Sequence, residues 1–161
     1  MLLAFVVGAG CGPGLRSRVE TPASDNLSRY VSYSWWQPPL NQRRGYTSDE
    51  ENLDNAVRFS VENNLAAHGY REDSTGVPDF LVRYGAVLHE KPTKTFAEYL
   101  GKDMGAARGA PAGTFTLEAM DASTHRTLWR ATISDVIKPG PSEEQVAPAV
   151  RKMMESFPHR D

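Results

Sequence analysis

The sequence predicts an α+β fold, a two-layer sandwich in which an antiparallel sheet of about five strands carries two amphipathic helices on one face. Three observations support it. Several segments alternate apolar and polar residues with period two, the signature of a half-buried strand. Two other segments repeat apolar residues at helical spacing. The order strand, strand, helix, three strands, helix leaves each helix one apolar face to cover, and a sheet is the natural partner. The chain has 161 residues, suited to one domain, and 40% of them are hydrophobic, enough to build a core.

Residues 19–22 read as a short first strand, preceded by a tether over residues 11–18. Asp25-Asn26-Leu27-Ser28 marks a turn. Residues 30–36 alternate, with Val31, Tyr33 and Trp35 on one face and Ser32 and Ser34 on the other, until Pro38-Pro39 ends the run. A polar loop follows. Ser48 with Glu51 reads as a capping box opening a helix. Leu53, Val57, Val61 and Leu65 recur every four residues as its apolar stripe, with Ala56 beside them. Gly69 supplies a left-handed cap, and His68 sits in the last turn, where a cation is favoured. Asn64 and Phe59 depart from the stripe; the expectation is a hydrogen-bonded Asn at the layer edge and a Phe covered by a neighbouring loop.

Residues 70–78 connect to a long strand over 80–88, with Phe80, Val82, Tyr84 and Leu88 on one face. Residues 89–113 are polar and rich in Gly and Ala, long for a connection within a domain, and read as an extended hairpin excursion or mobile loop. Two alternating runs follow, one over residues 114–120 with Phe115, Leu117 and Ala119 inward, the other over 128–137 with Trp129, Ala131 and Ile133 on one side. A polar turn at 121–126 joins them as an antiparallel hairpin. Ser142 and Gln145 suggest a second cap, and Val146, Val150, Met153, Met154 and Phe157 keep helical spacing up to Pro158. Pro148 has no backbone N–H, so the regular helix is expected to begin near Ala147 or to kink there. No repeat and no boundary beyond the tether divides the domain over 19–158.

The amino terminus suggests an address. Residues 1–10 are apolar and end in Gly8-Ala9-Gly10 before Cys11, the only cysteine. Such a run reads as the tail of a secretory signal, and Ala9, Gly10 and Cys11 resemble the lipobox of bacterial lipoproteins, whose cysteine carries the lipid. Gly8 replaces the usual branched apolar residue, and no Lys or Arg follows Met1, which a true start further upstream would explain. The run is too short to span a bilayer, which takes about 20 apolar residues. Gly12-Pro13-Gly14 opens the tether and lacks the acidic residue that retains lipoproteins at the inner membrane in enterobacteria. The expected site is therefore the outer membrane, facing the periplasm, with the membrane as partner through the lipid on Cys11.

Several separated segments share one pattern: Leu27-Ser28-Arg29-Tyr30-Val31-Ser32-Tyr33-Ser34-Trp35, the helix end Leu65-Ala66-Ala67-His68-Gly69-Tyr70, the strand Pro78-Asp79-Phe80-Leu81-Val82-Arg83-Tyr84, and the hairpin bearing Asp121, Leu128-Trp129-Arg130 and Ala131. Phe157-Pro158 closes the last helix. In this order they resemble the DUF4136 family of bacterial envelope lipoproteins. The resemblance implies an envelope lipoprotein domain of undefined function and supplies no catalytic residues.

The remaining residues point away from chemistry. The net charge of −2 offers no basic field to nucleic acid. With Cys11 set aside, no thiol remains for a disulfide or a thiolate metal site. His68, His89, His125 and His159 share no ligand spacing, so no metal is expected, and no Gly-x-Ser-x-Gly or phosphate-binding loop suggests a hydrolase or a cofactor. Asp49-Glu50-Glu51 and Glu143-Glu144 sit in first helical turns, where the macrodipole favours them. Trp35 and Trp129 are expected in the core. Trp36 points the other way, and a helix-free sheet face bearing Trp36 and Tyr30 is the expected contact for an envelope partner. The expected function is non-catalytic binding or scaffolding. The alternative is a carrier holding a small apolar ligand or lipid between sheet and helices, beneath residues 89–113; a third reading, a hydrolase, would need a cleft gathering His89 or His125 with carboxylates.

Overall fold

The computed structural model describes residues 17–23, 26–42, 44–87, 114–133 and 143–160. Cys11, the segment 1–10, Leu88, the excursion 89–113, the strand extension over 134–137 and the Ser142 cap lie outside the described residues. The elements in order are β1 (Ser17–Thr21), a 3-10 turn (Leu27–Arg29), β2 (Ser32–Trp35), a second 3-10 turn (Leu40–Gln42), α1 (Ser48–Ala67), β3 (Arg71–Glu72), β4 (Phe80–Val87), β5 (Thr114–Asp121), β6 (Thr127–Ile133) and α2 (Glu143–Met154). The strands form one six-stranded sheet in the order β1-β6-β5-β4-β2-β3.

The architecture is the expected α+β sandwich, with two differences in the sheet. Arg71–Glu72, expected within a connection, is a sixth strand at the sheet edge. The sheet is also mixed: β2 pairs in parallel with both β3 and β4, while β4, β5, β6 and β1 pair antiparallel. The reason is α1. A chain that leaves β2, crosses the sheet as a helix and returns delivers its next strand in the same direction, and only a tight turn would reverse it. The hairpin logic holds for β5 and β6, where Leu117 faces Ala131 and Glu118 faces Arg130.

Both described helices cover one face. Leu53, Val57, Val61 and Leu65 of α1 and Val146, Ala149, Val150, Met153 and Met154 of α2 share a core with Tyr33, Phe80, Val82, Tyr84, Phe115, Leu117, Trp129, Ala131 and Ile133. The i, i+4 stripe is thus buried along its length. Period two on β4, β5 and β6 selects which side chains meet it. Trp129 is fully buried, its ring edge-on to Phe157 at 4.9 Å and its indole N–H donating to Ser156 Oγ at 3.2 Å.

Local signals were shifted by small amounts. The capping box uses Thr47 and Glu50, one residue before the expected pair: Thr47 N–H donates to Glu50 Oε2 at 2.7 Å, and Glu50 N–H donates to Thr47 Oγ1 at 3.3 Å. Thr47 holds the extended backbone an N-cap requires. Gly69 takes φ +92, as a left-handed cap should. Asn64 donates to the Ser60 carbonyl at 2.8 Å, while Phe59, expected under a loop, is 60% exposed. The second helix does not wait for Ala147. It begins at Glu143 and runs through an exposed Pro148. Buried Val146, Ala149, Val150, Met153 and Met154 on the other side hold it to the core despite the missing donor.

Candidate functional site

Tyr30 and Trp36, expected on one face, occupy different surroundings. Tyr30 follows the first 3-10 turn, is half-buried, and stacks on the core residue Phe80 with ring centroids 6.3 Å apart. Its hydroxyl donates to Asp121 Oδ2 at 2.5 Å. That bond, with burial second, pushes the phenol up to about 12. Asp121 Oδ1 in turn accepts from the backbone N–H and hydroxyl of Ser123 and of Thr124. These bonds, Ser123 first and Tyr30 next, hold its carboxyl well below the usual range. Asp79 Oδ2 accepts from Val31 N at 2.8 Å and Ser32 N at 2.9 Å. Together Asp79 and Asp121 tie the entrance of β2 to the start of β4 and the β5–β6 turn. Tyr30 is part of that lock.

Trp36 lies just past β2, half-buried, its backbone N–H donating to the Val82 carbonyl at 2.9 Å. Its ring stands edge-on to His125 at 5.0 Å. His125 is exposed and holds φ 56, the one positive φ among described non-glycine residues, which presents its ring to the indole.

The sheet face turned away from the helices holds a polar cluster that sequence reasoning missed. Arg83, Glu118 and Arg130 are direct cross-strand neighbours on β4, β5 and β6. Arg83 Nε donates to Glu118 Oε2 at 2.7 Å, Arg130 Nη2 donates to Oε1 at 2.9 Å, and the Thr127 hydroxyl also donates to Oε1. Burial alone would raise the Glu118 carboxyl, yet the bonds from Arg83 and Thr127 and the two guanidinium charges outweigh it and hold the group below its ordinary value. Such a carboxylate is paired and not poised as a proton donor near neutral pH. Thr114, Thr116 and Glu118 on this face are all buried, and the hydroxyls of Thr114 and Thr116 and the Nε of Arg130 have no hydrogen-bond partner among the described residues. The signal was present in the hairpin. A glutamate in the middle of β5, at a position alternating with Phe115, Leu117 and Ala119, must meet whatever β6 sets opposite it.

A second polar network lies between α1 and the sheet. Asp54 is fully buried and accepts from Arg58 Nε at 3.0 Å and from the Tyr84 hydroxyl at 2.5 Å. Arg58 Nη2 donates to the Gln37 carbonyl at 2.9 Å, and its guanidinium lies 4.5 Å from the centre of the Trp35 ring. Trp35 Nε1 donates to Glu62 Oε1 at 3.0 Å. Burial, then the Asp54 charge, pushes the Tyr84 phenol well above its usual value. The i, i+4 spacing of Asp54 and Arg58 was legible as a helical ion pair; its burial was not.

Among the described residues no three His, Cys, Asp or Glu side chains gather in a way that could hold a metal ion. The fold does bring His68 and His159 together, with parallel rings 4.0 Å apart. His68, expected to favour its charged form at the helix end, is instead shifted down, by burial first and by the His159 charge, against the pull of the Pro158 and Phe157 carbonyls. Between sheet and helices the gap lined by Val61, Leu65, Val82, Leu117, Trp129 and Phe157 leaves no room for a water molecule. No described helix is long and apolar enough to cross a membrane.

The fold and the packing of its core define an α+β domain of the two-layer sandwich class. A PDZ domain protein from Parabacteroides distasonis ATCC 8503 is similar in fold, with TM-score 0.58 and 16% identity, over 91% of this chain and 36% of that one. This chain therefore spans little more than a third of that protein. A DUF4136 family protein from Bacteroides thetaiotaomicron VPI-5482 is similar along nearly its whole length, with TM-score 0.56 and 9% identity, over 91% of this chain and 98% of that one. The family described as Domain of unknown function (DUF4136) matches residues 19–159, and the chain belongs to it. No curated protein matches the chain.

Proposed function

We propose that this chain is a lipid-anchored protein of the bacterial cell envelope, attached through Cys11 to the outer membrane and facing the periplasm, whose domain binds or scaffolds and does not catalyse. The observation that carries this reading is the placement of the fold relative to the cysteine. The described core draws on residues from Leu27 to Phe157, and β1 opens at Ser17, downstream of Cys11 in the chain. The acyl chain supplies membrane affinity at about 0.8 kcal/mol per buried methylene, so the domain needs no membrane-binding surface of its own. The buried carboxylates support the non-catalytic half, since Asp54 and Glu118 are each held by arginine. Labelled palmitate is expected to enter the wild-type protein and not Cys11→Ala; equal labelling of both would sink the anchor.

Within this reading Trp36 is the partner contact, half-buried and set against exposed His125. Aromatic anchors of this kind dominate interface energetics. Trp36→Ala is expected to change the melting temperature by no more than a few degrees while weakening recovery of envelope partners in a crosslinked pull-down. Unchanged partner recovery would remove Trp36 from the interface.

A further inference from the structure

We propose that residues 158–160 form a pH-released latch over the end of α1, closed by the stack of His68 on His159. His68 is the C-cap of α1, with φ −84 and ψ 0, and its ring is half-buried. His159 lies parallel to it, at 11° and 4.0 Å between centroids. One backbone bond and one ring contact close the same segment. Arg160 N–H donates to the His68 carbonyl at 2.9 Å, and His68 Nδ1 lies 3.3 Å from the Pro158 carbonyl. Gly69 follows, and a Cβ there would stand 3.3 Å from Arg160 Cβ, so the tail crosses the cap closely. Just upstream, Phe157 is pinned by ring contacts with Trp129 at 4.9 Å and Tyr70 at 5.5 Å, which do not change with pH. The segment beyond Phe157 depends on the histidines.

Two neutral imidazoles, or one neutral and one charged, stack without penalty. Two imidazolium rings 4.0 Å apart repel at close range, and Arg160 on the same tail adds a further positive charge. The other charged groups of the neighbouring elements are Arg71 and Glu72 of β3 and, at the end of α2, Arg151 and the Lys152–Glu155 pair, whose members are 2.6 Å apart. The charge that acts on the His68 ring is that of His159. The sign follows from the downward shift of His68. With the latch closed its neutral form is favoured, so an open tail binds more protons in the window below its ordinary value of 6.5. Closure is therefore fully supported above that pH and weakens as the pH falls through the shifted value. The latch needs no lipid anchor, though a periplasm-facing domain would meet such a change whenever the surroundings acidify.

The test is an NMR titration of the full chain, following the His68 and His159 ring resonances and the Arg160 amide. At about pH 7.5 the Arg160 amide should show an order parameter near 0.85, and at about pH 5 one below about 0.6, while the Phe157 amide stays rigid at both. His159→Phe keeps an aromatic ring on His68 without a titrating charge, and should hold the Arg160 amide rigid at the lower pH. An Arg160 amide equally rigid at both pH values in the wild type overturns the latch. So does release of His159→Phe in parallel with the wild type, because charge would then not be the cause.

Discussion

Replacing Asp54 by alanine is expected to destabilise the protein by about 3–5 kcal/mol, because it removes one partner of a buried ion pair and strands the other. Arg58 would keep its position between Trp35 and the Gln37 carbonyl but lose the carboxylate opposite it. Tyr84, buried on β4, would lose the acceptor of its hydroxyl. Urea unfolding should show a midpoint lower by about 1–5 M, given a typical slope of about 1–3 kcal/mol per molar. Replacing Asp54, Arg58 and Tyr84 together by Leu, Met and Phe should recover most of the loss, since an apolar substitute for a whole buried network is often neutral. A loss below about 1 kcal/mol in the single variant would mean that water reaches the site and solvates the remaining guanidinium.

Trp129→Ala should cost a similar amount, about 3–5 kcal/mol, by a different mechanism. The indole is fully buried where β6 meets the last turn of α2, and its removal opens a cavity against Phe157 while leaving the Ser156 hydroxyl without its donor. Because Phe157 also packs on Tyr70 and Phe80, the defect sits where both helices and the sheet converge. Thermal unfolding of Trp129→Phe should fall between wild type and Trp129→Ala, since the smaller ring keeps part of the contact but not the N–H. A Trp129→Ala protein as stable as the wild type would mean that the core collapses around the site.

Where periodicity decides, the sequence read correctly. The α1 stripe, the inward faces of β4, β5 and β6, the hairpin at 121–126 and the burial of Trp129 all follow from spacings of 3.6 and 2 acting on local runs. The resemblance drawn from those runs led to the right family. The misses share a cause. Arg71–Glu72 is too short to show alternation, and its pairing exists only because β2 is alongside. The parallel direction of β2 against β4 depends on the path of α1 over the sheet, which no window of sequence contains. Phe59, expected beneath a neighbouring loop, is instead turned outward by α1.

The candidate site divides along the same line. By itself the sequence determined most of the elements, the face each helix buries, the family and the position of Cys11, because these rest on neighbours in the chain and on composition. Only the tertiary structure decided that Tyr30 would lock onto Asp121, that Glu118 would sit between two arginines, and that His68 would meet His159. Those contacts join residues far apart in the chain. Their energies depend on register, burial and distance, which take values only once the sheet has ordered its strands and the helices have settled on one face.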